Sequence, residues 1–568
     1  MTSLLTDNLP LLAGAPNGIK KLRELILELA VRGKLVPQDP SDEPASELLK
    51  RIAKEKALSG NLKKTKIFAE ITEDEQPFVA PSSWALSRLG YVGEWAVGSG
   101  FPTQEQGLTD QPIPFCKVSD MNLSGNERFI LTANNSIDET TASRLRVNVH
   151  PAGTVVFPKI GGAIATNKRR LLVKPTAIDN NCLGLTPNGT LSSDYLYLLL
   201  SSIDLTRYQA GTSVPALSQG VLADIIVGVP PLTEQDRIIA KVDELMALCD
   251  RLEAQQADAE SAHTQLVQAL LDSLTQASDA TDFAANWQRL TEHFHPLFTT
   301  EPSIDALKQT LLQLAVMGKL VPQAPTDEPA NELLNRIQAE KNRLAAEGKL
   351  KKQKPLTEIS EADTPFEIPN TWQWARLGEI SHVFSGNAFK SEDFQEEPGV
   401  KVIKITNAGV GEFIKTDEYL PAQYENEYTS FRVFENDLIL ALTRPYISSG
   451  LKISRCPAEY DGALLNQRVA SIRIFPDINN EFGFLFFKSP TVLAIYQERF
   501  GNSGLQPNLK MSDVTSLLIP IPPIEEQHRI AAKINQLTTL CDLIKIKIKE
   551  SHHLVEDLSS ALIAKGLA

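Results

Sequence analysis

Cysteine is scarce and scattered in this chain of 568 residues. Cys116, Cys182, Cys249, Cys456 and Cys541 contain no CxxC pair and make an odd total of five. Such a set builds neither a disulfide framework nor a zinc site, and a reducing cytoplasm is the simple expectation. No apolar run approaches the ~20 residues that span a bilayer, so no membrane role is expected. The opening MTSLLTDNLPLLAGAPNG lacks a basic segment leading into a long apolar core, which argues against a secretory signal. Positive charge is also in deficit, with 56 Lys and Arg against 70 Asp and Glu and a net charge of −14. That balance argues against a protein that holds nucleic acid through bulk positive charge.

Catalytic signatures are missing as well. There is no GxxxxGK[ST] phosphate loop and no GxGxxG after a strand. The strings IPPI and VPPL lack the polar and aromatic residues of the Asn/Asp-Pro-Pro-aromatic motif of amino-methyltransferases. No HExxH or other clustered ligand set offers a metal site. The eight histidines are dispersed, and the neighbours His293/His295 and His552/His553 read as solvated. Neither a catalytic residue, nor a bound metal, nor a cofactor on this chain is expected.

What the chain does have is a duplication. LAVRGKLVPQ begins at Leu29 and LAVMGKLVPQ at Leu314. The match covers Leu22–Ile52 over Leu307–Ile337 and continues to SSWALSRLG (Ser82–Gly90) over NTWQWARLG (Asn370–Gly378). It then fades, and returns at PPLTEQDRIIAKVDELMALCD (Pro230–Asp250) over PPIEEQHRIAAKINQLTTLCD (Pro522–Asp542). A period this long indicates a duplicated domain and not a solenoid. Similar frames around different centres suggest one scaffold holding two different readers.

The frames are helical. Leu22, Leu25, Ile26 and Leu29 keep amphipathic spacing, with Gly33 suited to close the helix and Pro37 to block its continuation. SDEP (Ser41–Pro44) and TDEP (Thr326–Pro329) read as capped starts of a second helix, giving a helical hairpin in each copy. The basic runs NLKKTK (Asn61–Lys66) and KLKKQK (Lys349–Lys354) read as solvated linkers, with phosphate contact the alternative. After the double prolines, Ile238, Val242, Leu245, Cys249 and Leu252 step as a heptad seam, as do Ile530, Ile534, Leu537, Cys541 and Ile544. Each seam predicts a rod of ~42 residues, ~63 Å long. Two such rods would most simply pack antiparallel on one another.

The expected fold class is therefore α+β: two mixed α/β domains separated by long antiparallel coiled-coil helices, with internal pseudo-twofold duplication. The expected order is an N-terminal tail and hairpin (1–65), a first α/β domain (66–231), a central long helix (232–275), a linker and second hairpin (276–355), a second α/β domain (356–523) and a C-terminal long helix (524–568). In the centres, β-branched runs such as GTVVFPKI, RLLVKP, VKVIKIT, DLILALT and ASIRIF alternate with turns. Residues 80–230 hold 11 basic and 11 acidic side chains, and residues 366–523 hold 14 and 19, so any DNA contact must be local. The candidate loops are KIGGAIATNKRR, with Lys159, Lys168, Arg169 and Arg170, and TRPYISSGLKISR, with Arg444, Tyr446 and Lys452. Near the end of each centre stand AGTSVPALSQ, with Ser213 and Gln219, and FGNSGLQPNLK, with Asn502, Gln506 and Asn508. Arginine can pair with guanine and amides with adenine, while Lys and Arg neutralise phosphates. A plain surface loop with solvated charge is the alternative at each of these residues.

Two frames of the form PxxW…RLG, a variable α/β centre, then PP[LI]xEQxRI and a long helix resemble the specificity subunit of type I restriction-modification systems. The residues that carry this are Trp84, Arg88, Leu89 and Gly90 with Trp372, Arg376, Leu377 and Gly378. With them go Pro231, Glu234, Gln235, Arg237 and Ile238, matched by Pro523, Glu526, Gln527, Arg529 and Ile530. The resemblance implies two target recognition domains, each reading one half of a split site on double-stranded DNA. It implies long helices that set the gap, with Gln235, Arg237, Ile238, Gln527, Arg529 and Ile530 as partner-docking or helix residues. Two modification subunits with S-adenosylmethionine and motor-nuclease subunits using ATP and Mg would then supply the chemistry. A reader in a related phage-defence methylation system, or a coiled-coil scaffold with no DNA role, remain the alternatives.

Overall fold

The amphipathic spacing from Leu22 to Leu29 becomes the buried face of helix α1 (Gly18–Val31). The computed structural model of the protein describes residues 9, 11–58, 71–211, 213–348, 358–396, 398–500 and 507–567. The two lysine-rich runs, Asn61–Lys66 and Lys349–Lys354, lie outside these residues, as do Asn502 and Gln506. The chain divides into two compact units, Met1–Ala259 with Ser551–Ala568, and Glu260–Glu550.

In the first unit, α1 ends as expected on Gly33, whose φ of 70° is left-handed. A Cβ there would stand 2.5 Å from the Pro81 ring, so glycine is needed for space as well as for conformation. Helix α2 (Ala45–Leu58) follows. Strand β1 (Ala85–Arg88) pairs antiparallel with the last strand of the centre, Ile226–Val229, in the register Ala85↔Val229. That pair closes the α/β centre at its neck. Within it lies a five-stranded sheet of β2 (Gly93–Val97), β3 (Phe129–Ile130), β4 (Val155–Pro158), β5 (Arg170–Leu172) and β6 (Cys182–Pro187), in the order β2-β6-β4-β5-β3. Its core strand β4 is buried along its whole length. Helix α3 (Ser193–Ser202) covers the sheet, and Ile226–Val229 is β7. The long helix α4 (Leu232–Thr275) spans 44 residues, close to the length that the seam predicts.

The second unit repeats the plan. Helices α5 (Glu301–Val316) and α6 (Ala330–Ala346) form its hairpin. Gly318 has φ 72°, and a Cβ on it would lie 2.5 Å from the Pro369 ring. Strand β8 (Gln373–Arg376) meets the closing strand Leu518–Ile521. The sheet is β9 (Ser381–Ser385), β10 (Leu438–Ala441), β11 (Ile453–Arg455) and β12 (Val469–Ile474), in the order β9-β12-β10-β11. Helix α7 (Asn480–Lys488) follows, then β13 (Leu518–Ile521) and α8 (Ile524–Leu567), another 44-residue rod.

Ile238, Val242, Cys249, Ile530, Ile534 and Cys541 of the seams are buried and the other seam residues partly so, but rod-on-rod packing alone does not cover them. Ile238, Val242 and Cys249 share a core with Leu22, Leu25, Ile26 and Leu29 of α1, against which Leu562 and Ile563 of α8 also pack. Ile530, Ile534 and Cys541 share one with Ile304, Leu307 and Leu311 of α5 and with Val267, Leu271 and Leu274 of α4. Each unit thus holds the beginning of one long helix and the end of the other, with a hairpin helix filling the seam. Matching ion pairs line the two joints: Arg23 with Asp250 at 2.9 Å, and Lys308 with Asp542 at 2.7 Å.

Candidate nucleic-acid interface

The frame that holds each centre is a set of buried polar contacts at the start of the long helix. Glu234 is fully buried. Its Oε1 accepts from Trp84 Nε1 at 2.9 Å and from Gln38 Nε2 at 2.8 Å. Burial nevertheless pushes its carboxyl above the ordinary glutamate value. Gln235, also fully buried, accepts from the Ser192 amide at 2.8 Å and donates to the Thr190 and Pro230 carbonyls at 3.1 Å. It joins the long helix to the N-cap of α3. Arg237 grips Asp42 at 2.6 Å, which with the Thr233 hydroxyl holds that aspartate below its usual range.

The second copy repeats most of these contacts. Gln323 donates to Glu526 at 3.0 Å, and burial again raises this glutamate. Gln527 accepts from the Asn479 amide at 2.8 Å and donates to Pro522 O at 2.9 Å. Arg529 donates to Asp327 at 2.7 Å. One expectation is corrected here. Asp42 and Asp327 do not cap the hairpin helices; they are taken by arginines of the long helices. Gln235, Ile238, Gln527 and Ile530 have no exposed surface to offer a partner, because they tie the chain to itself. Arg237 and Arg529 are the half-exposed members of the set, and both are committed to aspartates.

The loops come together at one end of each sheet. Past β4, the Lys159 amide donates to Asn181 O at 2.7 Å, and Lys159 O accepts from the Leu217 amide at 2.9 Å. The Gly161 amide donates to Pro215 O at 2.7 Å. Past β10, the Leu442 amide donates to Arg468 O at 2.9 Å, and Leu442 O accepts from the Leu509 amide at 2.7 Å. The Arg444 amide donates to Pro507 O at 2.9 Å. The two candidate loops of each copy, some 50 or more residues apart in sequence, are thus stitched side by side by the same main-chain bonds. Ser213 and Gln219 are exposed in the first copy, and Arg444 and Asn508 in the second. Lys159, Tyr446 and Lys452 are half-buried, Tyr446 against the core.

The basic triplet after the glycines behaves otherwise. Lys168 donates to Asn122 Oδ1. Arg169, expected on the surface, is 2% exposed. It donates to Leu200 O and Ile203 O, both at 3.0 Å, and its guanidinium lies 5.3 Å from the centre of the Phe157 ring. The carbonyl end of α3 needs donors and favours positive charge, and Arg169 supplies both. Burial brings its pKa down to about 10. Arg170 is buried too and donates to Met121 O at 2.8 Å. Both guanidiniums are therefore interior supports. The arginine that sequence reasoning passed over is Arg468, exposed beside Leu442. No local periodicity marks it, since only the strand pairing brings it to this edge.

A family model matches the chain twice. The family described as the type I restriction modification DNA specificity domain matches residues 81–260 and again 369–551, one match in each copy. This chain belongs to that family. It is 38% identical to the type I restriction enzyme EcoAI specificity subunit of Escherichia coli, over 96% of this chain and 94% of that protein. Identity to the EcoEI specificity subunit of Escherichia coli is 34%, over 97% and 94%. A solved HsdS subunit from Thermoanaerobacter tengcongensis is similar over 86% of this chain and 98% of its own, with 16% identity and a TM-score of 0.42. Among the described residues no helix is long and apolar enough to cross a membrane, and no cluster of three or more His, Cys, Asp or Glu is placed to hold a metal.

Proposed function

We propose that this type I specificity chain is the non-catalytic, DNA-reading subunit of its restriction-modification complex, each α/β centre reading one half of a split, asymmetric duplex site. The observation that carries the reading is the contrast within the duplication. Four frame contacts recur between equivalent residues, Gln38–Glu234, Gln235 with the Ser192 amide, Gln235 with Pro230 O and Arg237–Asp42 in the first copy and Gln323–Glu526, Gln527 with the Asn479 amide, Gln527 with Pro522 O and Arg529–Asp327 in the second, while the loops stitched onto each sheet end differ at their turns. A repeated frame gives one polypeptide the two-fold arrangement that a DNA-binding dimer uses, and unlike loops free the two half-sites from being palindromic. The long helices set the gap between half-sites. Two modification subunits bearing S-adenosylmethionine dock on this chain and methylate adenine, and motor-nuclease subunits using ATP and Mg join them in the cytoplasm. The acidic net charge suits a reader with local contacts whose partners close round the duplex and supply further positive charge.

A methylation map tests this. The chain is co-expressed with its modification subunit in a host without such methylation, and modified adenines are located across the genome. A split motif that changes in one half when residues 80–230 are exchanged for a foreign centre is the expected result. An assembled complex that leaves no methylation overturns the reading.

A further inference from the structure

We propose that Arg444 and Arg468 are the specificity-determining side chains of the second unit, reaching guanine edges in the major groove from the end of the β9-β12-β10-β11 sheet. The inference rests on the reading of this unit as a half-site reader. It begins with a count. Residues 366–523 contain seven arginines. Five are committed: Arg376 to the carbonyls of Ser516 and Glu358, Arg432 to Glu425, Arg455 to Glu481, Arg473 to Asp437 and Arg499 to Asp513. Arg444 and Arg468 are exposed, and neither side chain has a partner among the described residues.

The second observation is where these two stand. The main-chain bond from the Leu442 amide to Arg468 O fixes the start of β12 beside the end of β10, two residues before Arg444. Both arginines therefore leave the same sheet end. Both also have left-handed backbones, φ 48° at Arg444 and 67° at Arg468, a conformation that disfavours residues with a Cβ. In the first unit the turn equivalent to Arg444 is built on Gly161, with φ 77° and nothing within 4 Å of where a Cβ would be. The turn thus has room for a side chain and a backbone made for glycine. The second unit places arginine there regardless. Among the described residues the side chain has no hydrogen-bond or ion-pair partner. The position of Arg468 corresponds in the first unit to Asn181, whose carbonyl receives the Lys159 amide and whose side chain is held by Asp179 at 3.1 Å.

The chemistry favours bases over phosphates. A guanidinium leaving a backbone pinned by strand hydrogen bonds has a fixed origin, which suits bidentate pairing with guanine O6 and N7. Phosphate contacts position a protein without carrying sequence and need no such fixing. The surrounding centre is net acidic, 14 basic against 19 acidic residues, so two arginines at one sheet end, without a partner among the described residues, give that end local positive charge.

The test uses the full chain co-expressed with its modification subunit and the same methylation map. Arg444→Gly restores the residue that the first copy uses at this turn, and Arg468→Asn the residue of its other position, so folding is retained. Arg444→Lys keeps the charge without the fork. Each is expected to relax guanine at one or two positions in one half of the split motif, with a drop of about 10- to 100-fold in discrimination there, the other half unchanged. Two results overturn the proposal: a motif unchanged in both halves, or a uniform loss of methylation with an unchanged motif, which is the mark of phosphate contacts. A wild-type complex with no split motif instead removes the reading on which the proposal stands.

Discussion

At the end of the first sheet the chain turns on Gly161; at the corresponding place in the second it turns on Arg444. The hydrogen bonds around the two turns are the same, and Pro215 and Leu217 are matched by Pro507 and Leu509, but the turn residues themselves differ. Across the neck the relation is reversed. There Gln38, Trp84, Glu234, Gln235 and Arg237 of the first copy are matched in kind by Gln323, Trp372, Glu526, Gln527 and Arg529 of the second. The difference separates what holds a reader from what reads. Buried polar contacts leave little room for change, because each lost partner strands a desolvated group. An exposed side chain at a pinned turn, with no partner among the described residues, is free to differ between copies.

The largest test of this equivalence removes the tryptophans. Trp84 and Trp372 are 6% and 4% exposed, and each lies against the glycine that ends the first hairpin helix of its copy. Trp84→Ala and Trp372→Ala are each expected to cost about 3–5 kcal/mol. Amide hydrogen exchange should show lost protection in the unit that carries the change. A loss in only one of the two variants would break the symmetry of the frames.

A smaller effect is expected at the glutamines. Gln235→Ala leaves the Ser192 amide and the Thr190 and Pro230 carbonyls unpaired in the interior, and Gln527→Ala does the same to the Asn479 amide and Pro522 O. Each should destabilise by about 1–3 kcal/mol in denaturant unfolding, the first slightly more than the second. Near-zero values would show that the glutamines are not the ties between long helix and sheet-covering helix.

How much of this was legible depends on the range of the interaction. The seam residues Ile238, Val242 and Cys249, the cap at Gly33 and the strands at GTVVFPKI and ASIRIF were legible because their signals are periodic or local. The family was legible because two copies of one motif stood in register. What covers the seam was not, since a heptad pattern asks for an apolar partner without naming it, and α1 and α5 answer as well as the other rod does. Arg169 was misread for a related reason. Its neighbours in sequence are glycines and basic residues, but its environment is the carbonyl end of α3, which only the fold brings near. Asp42 looked like a helix cap because it precedes Pro44, while its partner Arg237 lies on another helix. Arg468 left no trace in the sequence at all.

The smallest effect separates the two carboxylates that meet at the first neck. Asp42 is held below the ordinary aspartate value by its hydrogen bonds to Arg237 and then Thr233, while burial raises Glu234. The signs are opposite. A lowered folded pKa gives Asp42 a stabilising contribution that is present above about pH 4, the unfolded value, and is lost as pH falls through the folded one. A raised folded pKa means that Glu234 favours the fold most when protonated, and that this advantage is lost as pH rises through its folded value. Asp42→Asn removes the first contribution and leaves the second. The Tm of the variant should lie below wild type at neutral pH and fall less steeply on acidification, so that the two curves converge below about pH 4. The comparison is sharpened by Asp327→Asn, which removes the matching partner of Arg529 in the second copy and isolates what that pair contributes there. Parallel curves for Asp42→Asn and wild type would mean that the Arg237 contact does not set the charge of Asp42, and that the first neck is held by Trp84 and Gln235 alone.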